Sequence, residues 1–295
     1  MSAASVKLGS APDSWGVWFP ADPRQTPWSR FLDEIAEAGY RWTELGPFGY
    51  LPTDPDVLAR ELSERGLGLA GGFVKFDLED DEAWRRAEPE LEELGPFLRR
   101  LGGEYLVILD ELYTDEATGA DRVPPTLDDA SWRRLCETML RVLEASDRHG
   151  LRPVFHPHAQ SHVEYEDQIE RLLDDVDGLQ LCFDVGHHAY CGGDPVRFYE
   201  RHADRIPYLH LKSVDAALRE RVARDGLSFA AAVGEGVFVE PSSGSVDFER
   251  LRDLMASAGY DGYAIVEQDM YPADFDRPLP IAKRTYAYLS GLGFG

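Results

Sequence analysis

Four short stretches in the second half of the chain carry side chains that bind hard or borderline cations. They are Phe155-His156-Pro157-His158, Phe183-Asp184-Val185-Gly186-His187, Leu209-His210-Leu211-Lys212 and Val266-Glu267-Gln268-Asp269. Carboxylates and imidazoles converging from separate strands are what a divalent cation requires. Asp184, before Val185-Gly186, has an ordinary alternative as a turn or helix-cap residue. His210, alone in an apolar strand, has one as a satisfied core residue. Glu267 follows Ala264-Ile265-Val266, where a buried carboxylate is costly without a cation or partner. Each signal is weak by itself, and their recurrence at successive strand ends is the stronger one.

Other groups near these stretches suit proton transfer or substrate contact. His156 and His158 are two residues apart and share a strand face, so one can bind metal while the other hydrogen-bonds or moves a proton. His187 follows Asp184 by three residues, within reach of a ligand or a substrate. The only lysines are Lys7, Lys75, Lys212 and Lys283, and Lys75 and Lys212 fall near predicted strand ends. An ammonium is a compact charge whose pKa responds to its surroundings, as a guanidinium's does not. Glu44, in Thr43-Glu44-Leu45, is a candidate base, substrate contact or lysine partner. Trp15, Trp18 and Phe19 cluster after the first strand, where an aromatic either walls a sugar-like ring or packs under its loop. His149, His162 and His188 read as surface-loop or helix-end residues.

The elements that must position these groups alternate regularly. Strands are expected at 6–10, 42–45, 67–74, 105–109, 151–155, 179–183, 206–211 and 263–266. Between them lie helical patterns at 27–39, 54–66, 80–101 (with a break at Glu88-Pro89), 128–149, 165–173, 195–202 and 246–258, and a last helix at 280–289. Residues 215–245 read as an irregular insertion. Strand-helix alternation of this kind predicts an α/β fold with a parallel sheet, here a single (β/α)8 barrel over residues 1–295, with chemistry at the carboxyl ends of the strands.

Composition narrows the function classes. A formal net charge of −24 with no visible basic patch argues against nucleic acid and anionic membranes as partners. No apolar run reaches membrane-span length, and no signal-peptide core opens the chain. Three cysteines without CxxC spacing fit a reduced, cytoplasmic protein. GxGxxG, Walker, GxSxG and HExxH motifs are absent, which removes support for nucleotide-cofactor redox, NTP hydrolysis and serine hydrolase chemistry. A small molecule is the expected partner, and a homo-oligomer is an assembly the sequence leaves open.

The opening Ser-Trp-Gly, the stretch Thr-Glu-Leu-Gly-Pro after strand two, His-Pro-His, Phe-Asp-Val-Gly-His-His, His-Leu-Lys and Ile-Val-Glu-Gln-Asp together resemble the xylose-isomerase-like TIM barrel superfamily over nearly the whole chain. That superfamily holds sugar isomerases and epimerases, inosose dehydratases and endonuclease IV, and the motifs look most like the inosose dehydratase branch. The resemblance implies a divalent cation, Mn2+ first with Mg2+, Co2+ or Zn2+ as alternatives, held by His156 (or His158), Asp184, His210 and Glu267. It implies a keto-sugar or keto-cyclitol substrate and an enediolate formed by loss of an α-proton. Glu267, His158 or Glu44 would take that proton, Lys212 or a histidine would assist the leaving group, and Trp15, His187 and Lys75 would contact substrate. Many epimerases of the superfamily place glutamate on strand five, where this chain has His-Pro-His. With one of two acid/base carboxylates missing, β-elimination by a lyase, inosose dehydratase-like or a keto-glycoside eliminase, is expected ahead of isomerisation or 3-epimerisation.

Overall fold

The apolar runs form eight parallel strands in a computed structural model that describes residues 6–115 and 118–295. In chain order the strands are β1 Lys7–Ser10, β2 Trp42–Glu44, β3 Gly68–Phe76, β4 Tyr105–Asp110, β5 Arg152–Phe155, β6 Cys182–Asp184, β7 Tyr208–Leu211, β8 Ser213–Val214, β9 Phe238–Val239 and β10 Tyr263–Val266. All but β8 and β9, an antiparallel pair at the rim, belong to the barrel. Their spatial order is β5-β4-β3-β2-β1-β10-β7-β6. The ring closes where Phe155 bridges Leu181 and its amide donates to Gln180 O at 2.9 Å. This is the expected (β/α)8 barrel.

Strand pleating decides which residues face the barrel axis. Tyr105, Tyr208 and Tyr263 meet inside it with ring centroids 4.9 to 5.7 Å apart, forming an aromatic floor. Two residues further along β7 and β10 come His210 and Ile265; His156 and Asp184 likewise follow buried Val154 and Cys182. The intervening Phe155, Phe183, Leu209, Leu211, Ala264 and Val266 point outward into the core under the helices. Fully burying one such side chain contributes about 1.5–3 kcal/mol.

The helices show where part of the acidic excess resides. Asp54, Asp80, Asp128, Asp194, Asp215 and Asp247 each accept backbone amides at a helix start. A cap of this type stabilises by about 1 kcal/mol. Two expectations need correction. The helix expected to break at Pro89 runs without interruption over Asp81–Arg100, with Pro89 and Pro96 inside it. Pro89 lies on the solvent face, where water can satisfy the carbonyl it leaves unpaired, while Trp84, Leu91, Leu94 and Leu98 hold the opposite face in the core. The insertion is also ordered. It contains helices Ala216–Asp225 and Phe229–Gly234, capped by Asp215 and Ser228, and strand β9, which pairs with β8 just ahead of it. These pieces share a small core of Val214, Val222, Phe229, Val233, Val237 and Phe238. Among the described residues no helix is long and apolar enough to cross a membrane.

Candidate active site

The carboxyl ends of β5, β6, β7 and β10 bring one donor atom each from His156, Asp184, His210 and Glu267 within 4.8 Å of one another. Asp184 serves two roles at once. Its Oδ1 accepts the amides of Gly186 and His187, both at 2.7 Å, and so starts the short helix Val185–Tyr190. Its Oδ2 remains directed into the barrel. His210 is oriented from the far side, because its Nε2 lies 2.7 Å from Glu44 Oε1. With the Nε2 hydrogen donated there, Nδ1 faces Asp184 Oδ2 at 3.7 Å and Glu267 Oε2 at 3.0 Å, and although burial opposes its charge, the surrounding acidic groups hold the His210 pKa well above the ordinary histidine value, so an ion bound there would displace the Nδ1 proton. His156 Nδ1, Asp184 Oδ2 and His210 Nδ1 are buried and take no hydrogen bond of good geometry within the protein. Lys212 and Glu267 stand near the last two, whereas His156 Nδ1 has no partner among the described residues, and a buried polar atom left so is costly unless a cation satisfies it. Two imidazoles and two carboxylates are a donor set for a divalent metal.

Of the two histidines on β5, His156 joins the carboxylates, whereas His158 belongs to a second grouping with His156 and His187. His158 Nδ1 lies 2.7 Å from Ala159 O, which fixes the hydrogen there and leaves Nε2 as the open nitrogen. Its ring lies against His187 with centroids 3.9 Å apart and planes tilted by 43°, and meets Phe229 at 5.0 Å.

Lys212 stands beside the donor set with no solvent exposure. Its Nζ is 2.7 Å from Asp269 Oδ2, 2.9 Å from Glu267 Oε2, 3.0 Å from Asp184 Oδ2 and 3.2 Å from His187 Nε2. Gly186 makes room for its stem, since a Cβ there would stand 1.8 Å from Lys212 Cγ. The charges rearrange one another. Burial works against the Lys212 ammonium, but Asp184, Asp269 and Glu267 hold its pKa well above the usual value. Burial likewise opposes ionisation of Glu267, and His210 and Lys212 outweigh it, keeping that carboxyl well below its usual range. Asp184 is pushed up to about 7, chiefly by burial. Burial drives His158 down to about 3 and His156 well below the ordinary histidine value.

Beside this cluster opens a cavity of about 310 Å3. Glu44, Lys75, His156, His158, His210 and Glu267 line it. Lys75 also faces Glu111 Oε1 at 3.3 Å. Three residues expected at the substrate lie elsewhere. Trp15 is fully buried away from the cavity, because the turn Pro12–Trp15 folds its ring back onto Phe31, and its Nε1 donates to Glu34 Oε2 at 2.8 Å. Trp18 and Phe19, from the same cluster, line the cavity instead. His187 and Lys212 do not reach the cavity wall: His187 is covered by His158, Phe229 and Phe238, and Lys212 by its carboxylates. Glu44 lines the cavity, as its expected role requires, and accepts from both Tyr208 Oη and His210 at 2.7 Å, so that it also orients His210.

Among the histidines read as peripheral, His149 closes its helix as expected, but His162 and His188 are buried. His162 joins the end of β4 to the loop after β5, with Nδ1 2.9 Å from Asp110 Oδ2 and Nε2 3.1 Å from Pro124 O. Four cavity carboxylates, Asp13, Glu90, Asp110 and Asp269, were not among the expected site residues. Burial raises the pKa of Asp13 and of Asp269. Asp269 stands two residues beyond Glu267, and a scarce lysine on the neighbouring strand was the available signal that acids would gather there.

A family model described as xylose isomerase-like TIM barrel matches residues 32–289. The chain is 29% identical over 297 residues to an inosose dehydratase of Lacticaseibacillus casei, covering 98% of this chain and 97% of that protein. It is 34% identical over 303 residues to the rhizopine catabolism protein MocC of Rhizobium meliloti, covering 98% and 89%. A solved structure of the IOLI protein with a bound zinc atom superposes with a TM-score of 0.71 at 14% identity, covering 96% of this chain and 98% of that one.

Proposed function

Because the chain belongs to the xylose isomerase-like TIM barrel family, we propose that it is a divalent-metal-dependent carbon–oxygen lyase that eliminates water from a keto-cyclitol or a related keto-sugar. The observation that carries this reading is the donor set itself: two histidines and two carboxylates converge beside a cavity whose β5 wall offers His158 instead of a second carboxylate. Near full-length similarity to inosose dehydratases supports the same substrate class. His156, Asp184, His210 and Glu267 would hold the cation, with Mn2+ the first candidate and Zn2+, Co2+ and Mg2+ the alternatives. Such an ion supplies a Lewis acid that polarises a carbonyl oxygen and stabilises the negative charge of an enediolate.

The chain's own residues divide the remaining work. His158, its tautomer set by Ala159 O, presents Nε2 to the cavity and takes the α-proton. Asp269 reaches the cavity wall while hydrogen-bonded to Lys212, and faces the departing hydroxyl. Lys212 acts as the fixed positive charge that allows Asp184, Glu267 and Asp269 to crowd together. Glu44 positions His210. Lys75 contacts substrate hydroxyls from the β3 side.

The test is product analysis after incubating metal-loaded protein with a 2-keto-inositol. Loss of one water and growth of near-ultraviolet absorbance support the lyase. Deuterium exchange in heavy water with conserved mass and inverted or isomerised substrate would replace this reading with an epimerase or isomerase.

A further inference from the structure

Most carboxylates in the cavity wall already have partners within the protein. Glu44 accepts from Tyr208 and His210, and Glu267 and Asp269 both accept from Lys212. Asp110 gives one oxygen to the Leu78 amide and the other to the amide and ring of His162. Asp13 is different. It lines the cavity, yet among the described residues none donates a hydrogen bond to its carboxyl. It caps no helix either, since the short turn Pro12–Trp15 starts from Ala11 without a side-chain cap. Burial and the charges of Glu267 and Asp269 all disfavour its ionised form. A carboxyl so placed is costly unless something in the cavity meets it.

The turn around Asp13 is fastened on every side. Pro12, Ser14 and Trp15 are buried, and of the four residues Asp13 alone lines the cavity. Ser14 Oγ donates to Val266 O at 3.2 Å and accepts the Gln268 amide at 2.8 Å, so it grips the residues on either side of Glu267. The Ala11 amide adds a bond to Val266 O at 2.9 Å. Gly46 leaves room for the Pro12 ring, whose Cγ would stand 2.7 Å from a Cβ there, and Gly16 closes the turn at a φ of 71°. Asp13 is thereby held in register with the donor set.

Strand order decides what that carboxyl can reach. β1 stands fourth from β5 in either direction around the ring, so Asp13, just after β1, faces His158, just after β5, across the mouth. A six-membered ring with its α-carbon at His158 turns the opposite carbon toward β1, and in a cyclitol that carbon carries a hydroxyl. We propose that Asp13 is a specificity-determining residue, binding the substrate hydroxyl that lies across the ring from the carbon deprotonated by His158. The placement rests on the lyase reading, which puts the α-carbon at His158. A hydroxyl can bond to a carboxyl in either protonation state, so the contact does not depend on titration. It uses a remote part of the substrate to orient the reacting carbon. A ring without that hydroxyl leaves Asp13 unpartnered, which is how a buried polar group rejects an analogue.

Binding and turnover are tested separately. In metal-loaded protein carrying His158→Ala, which removes the base, calorimetry compares a 2-keto-inositol with its mono-deoxy analogues. One analogue, lacking a hydroxyl across the ring from an α-carbon, should bind about 10- to 100-fold more weakly than the complete ring. Adding Asp13→Ala should weaken the complete ring by a similar factor and leave that analogue unchanged, with metal content at the parental level. Equal binding of all analogues while Asp13 is present, or the same discrimination after Asp13→Ala, overturns the assignment. Discrimination centred on a hydroxyl beside the ketone also overturns it, as does loss of metal in the variant, which would place Asp13 in the donor set. A protein that discriminates as expected yet, with His158 restored, removes no water from 2-keto-inositol would keep Asp13 as a substrate contact and overturn the lyase reading.

Discussion

Glu44 Oε1 lies 2.7 Å from His210 Nε2, and that contact turns the opposite ring nitrogen toward Asp184 and Glu267. Glu44 and His210 sit on strands across the barrel from each other, so the alignment depends on correct closure of the ring. Removing such an outer partner of a metal-binding histidine lowers metal affinity about 10- to 100-fold. Glu44→Ala should therefore weaken divalent-ion binding by that factor, measured by competition with a chelating dye. Unchanged affinity would mean that the barrel alone orients His210.

Asp184 places one oxygen on helix amides and the other in the donor set. Asp184→Ala should abolish metal uptake, while Asp184→Asn should keep the amide contacts through its side-chain oxygen and still lose most affinity. Elemental analysis of the purified variants decides: metal retained at parental level in either variant removes Asp184 from the site.

Gly186 leaves space for the Lys212 stem, and the added methyl of Gly186→Ala would overlap Lys212 Cγ. Overpacking of a tight interior costs about 1–3 kcal/mol, and here the displaced atom belongs to the cation that balances three carboxylates. A lower urea midpoint together with weakened metal binding is expected. A variant as stable and as metal-competent as the parent would show that Lys212 can move without consequence.

His162 offers a pH test away from the donor set. Both its nitrogens face oxygen acceptors, Asp110 Oδ2 and Pro124 O, which calls for the doubly protonated ring. Burial opposes that charge, but the hydrogen bond and charge of Asp110, with Glu79 beyond it, raise the His162 pKa above 6.5. A folded pKa above the unfolded one contributes stability in full below the unfolded value, and that contribution fades as pH rises through the folded value. The stability difference between the parent and His162→Gln should therefore shrink between pH 6 and pH 9 in urea titrations. A difference that stays constant, or grows with pH, contradicts a charged His162.

Strand positions and donor types were legible because alternation and apolar runs are local properties. The four expected metal ligands are brought together for that reason: each stands at a strand end, where pleating alone fixes the inward direction. What was not legible depends on contacts distant in sequence. His156 and His158 are equivalent in a two-residue periodicity, and His156 is distinguished by its amide, which still bonds to Ile108 O and keeps that residue on the strand path. Trp15 and Trp18 read alike, yet a single 3-10 turn sends one into the core and leaves the other at the cavity. The depth of Lys212 required knowing that Gly186 packs against it. Residues 215–245 were too short in each helix to show periodicity, although their caps, Asp215 and Ser228, were present in the sequence.

The joint between β5 and β6 bears on more than topology. There the ring is closed by the isolated pairing of Phe155 with Leu181, whereas β3 and β4 are paired along six registered positions. His156 immediately follows β5 and Asp184 ends β6, so the two donors flank the least laced seam of the cylinder. A cation shared by them would act as a rivet across that seam, and ligand binding to the closed form alone stabilises it by mass action. Amide exchange at Phe155 should then slow on metal addition more than exchange at Val107 or Ile108 in the well-paired strand β4, making the mouth's chemistry also the fastening of the wall.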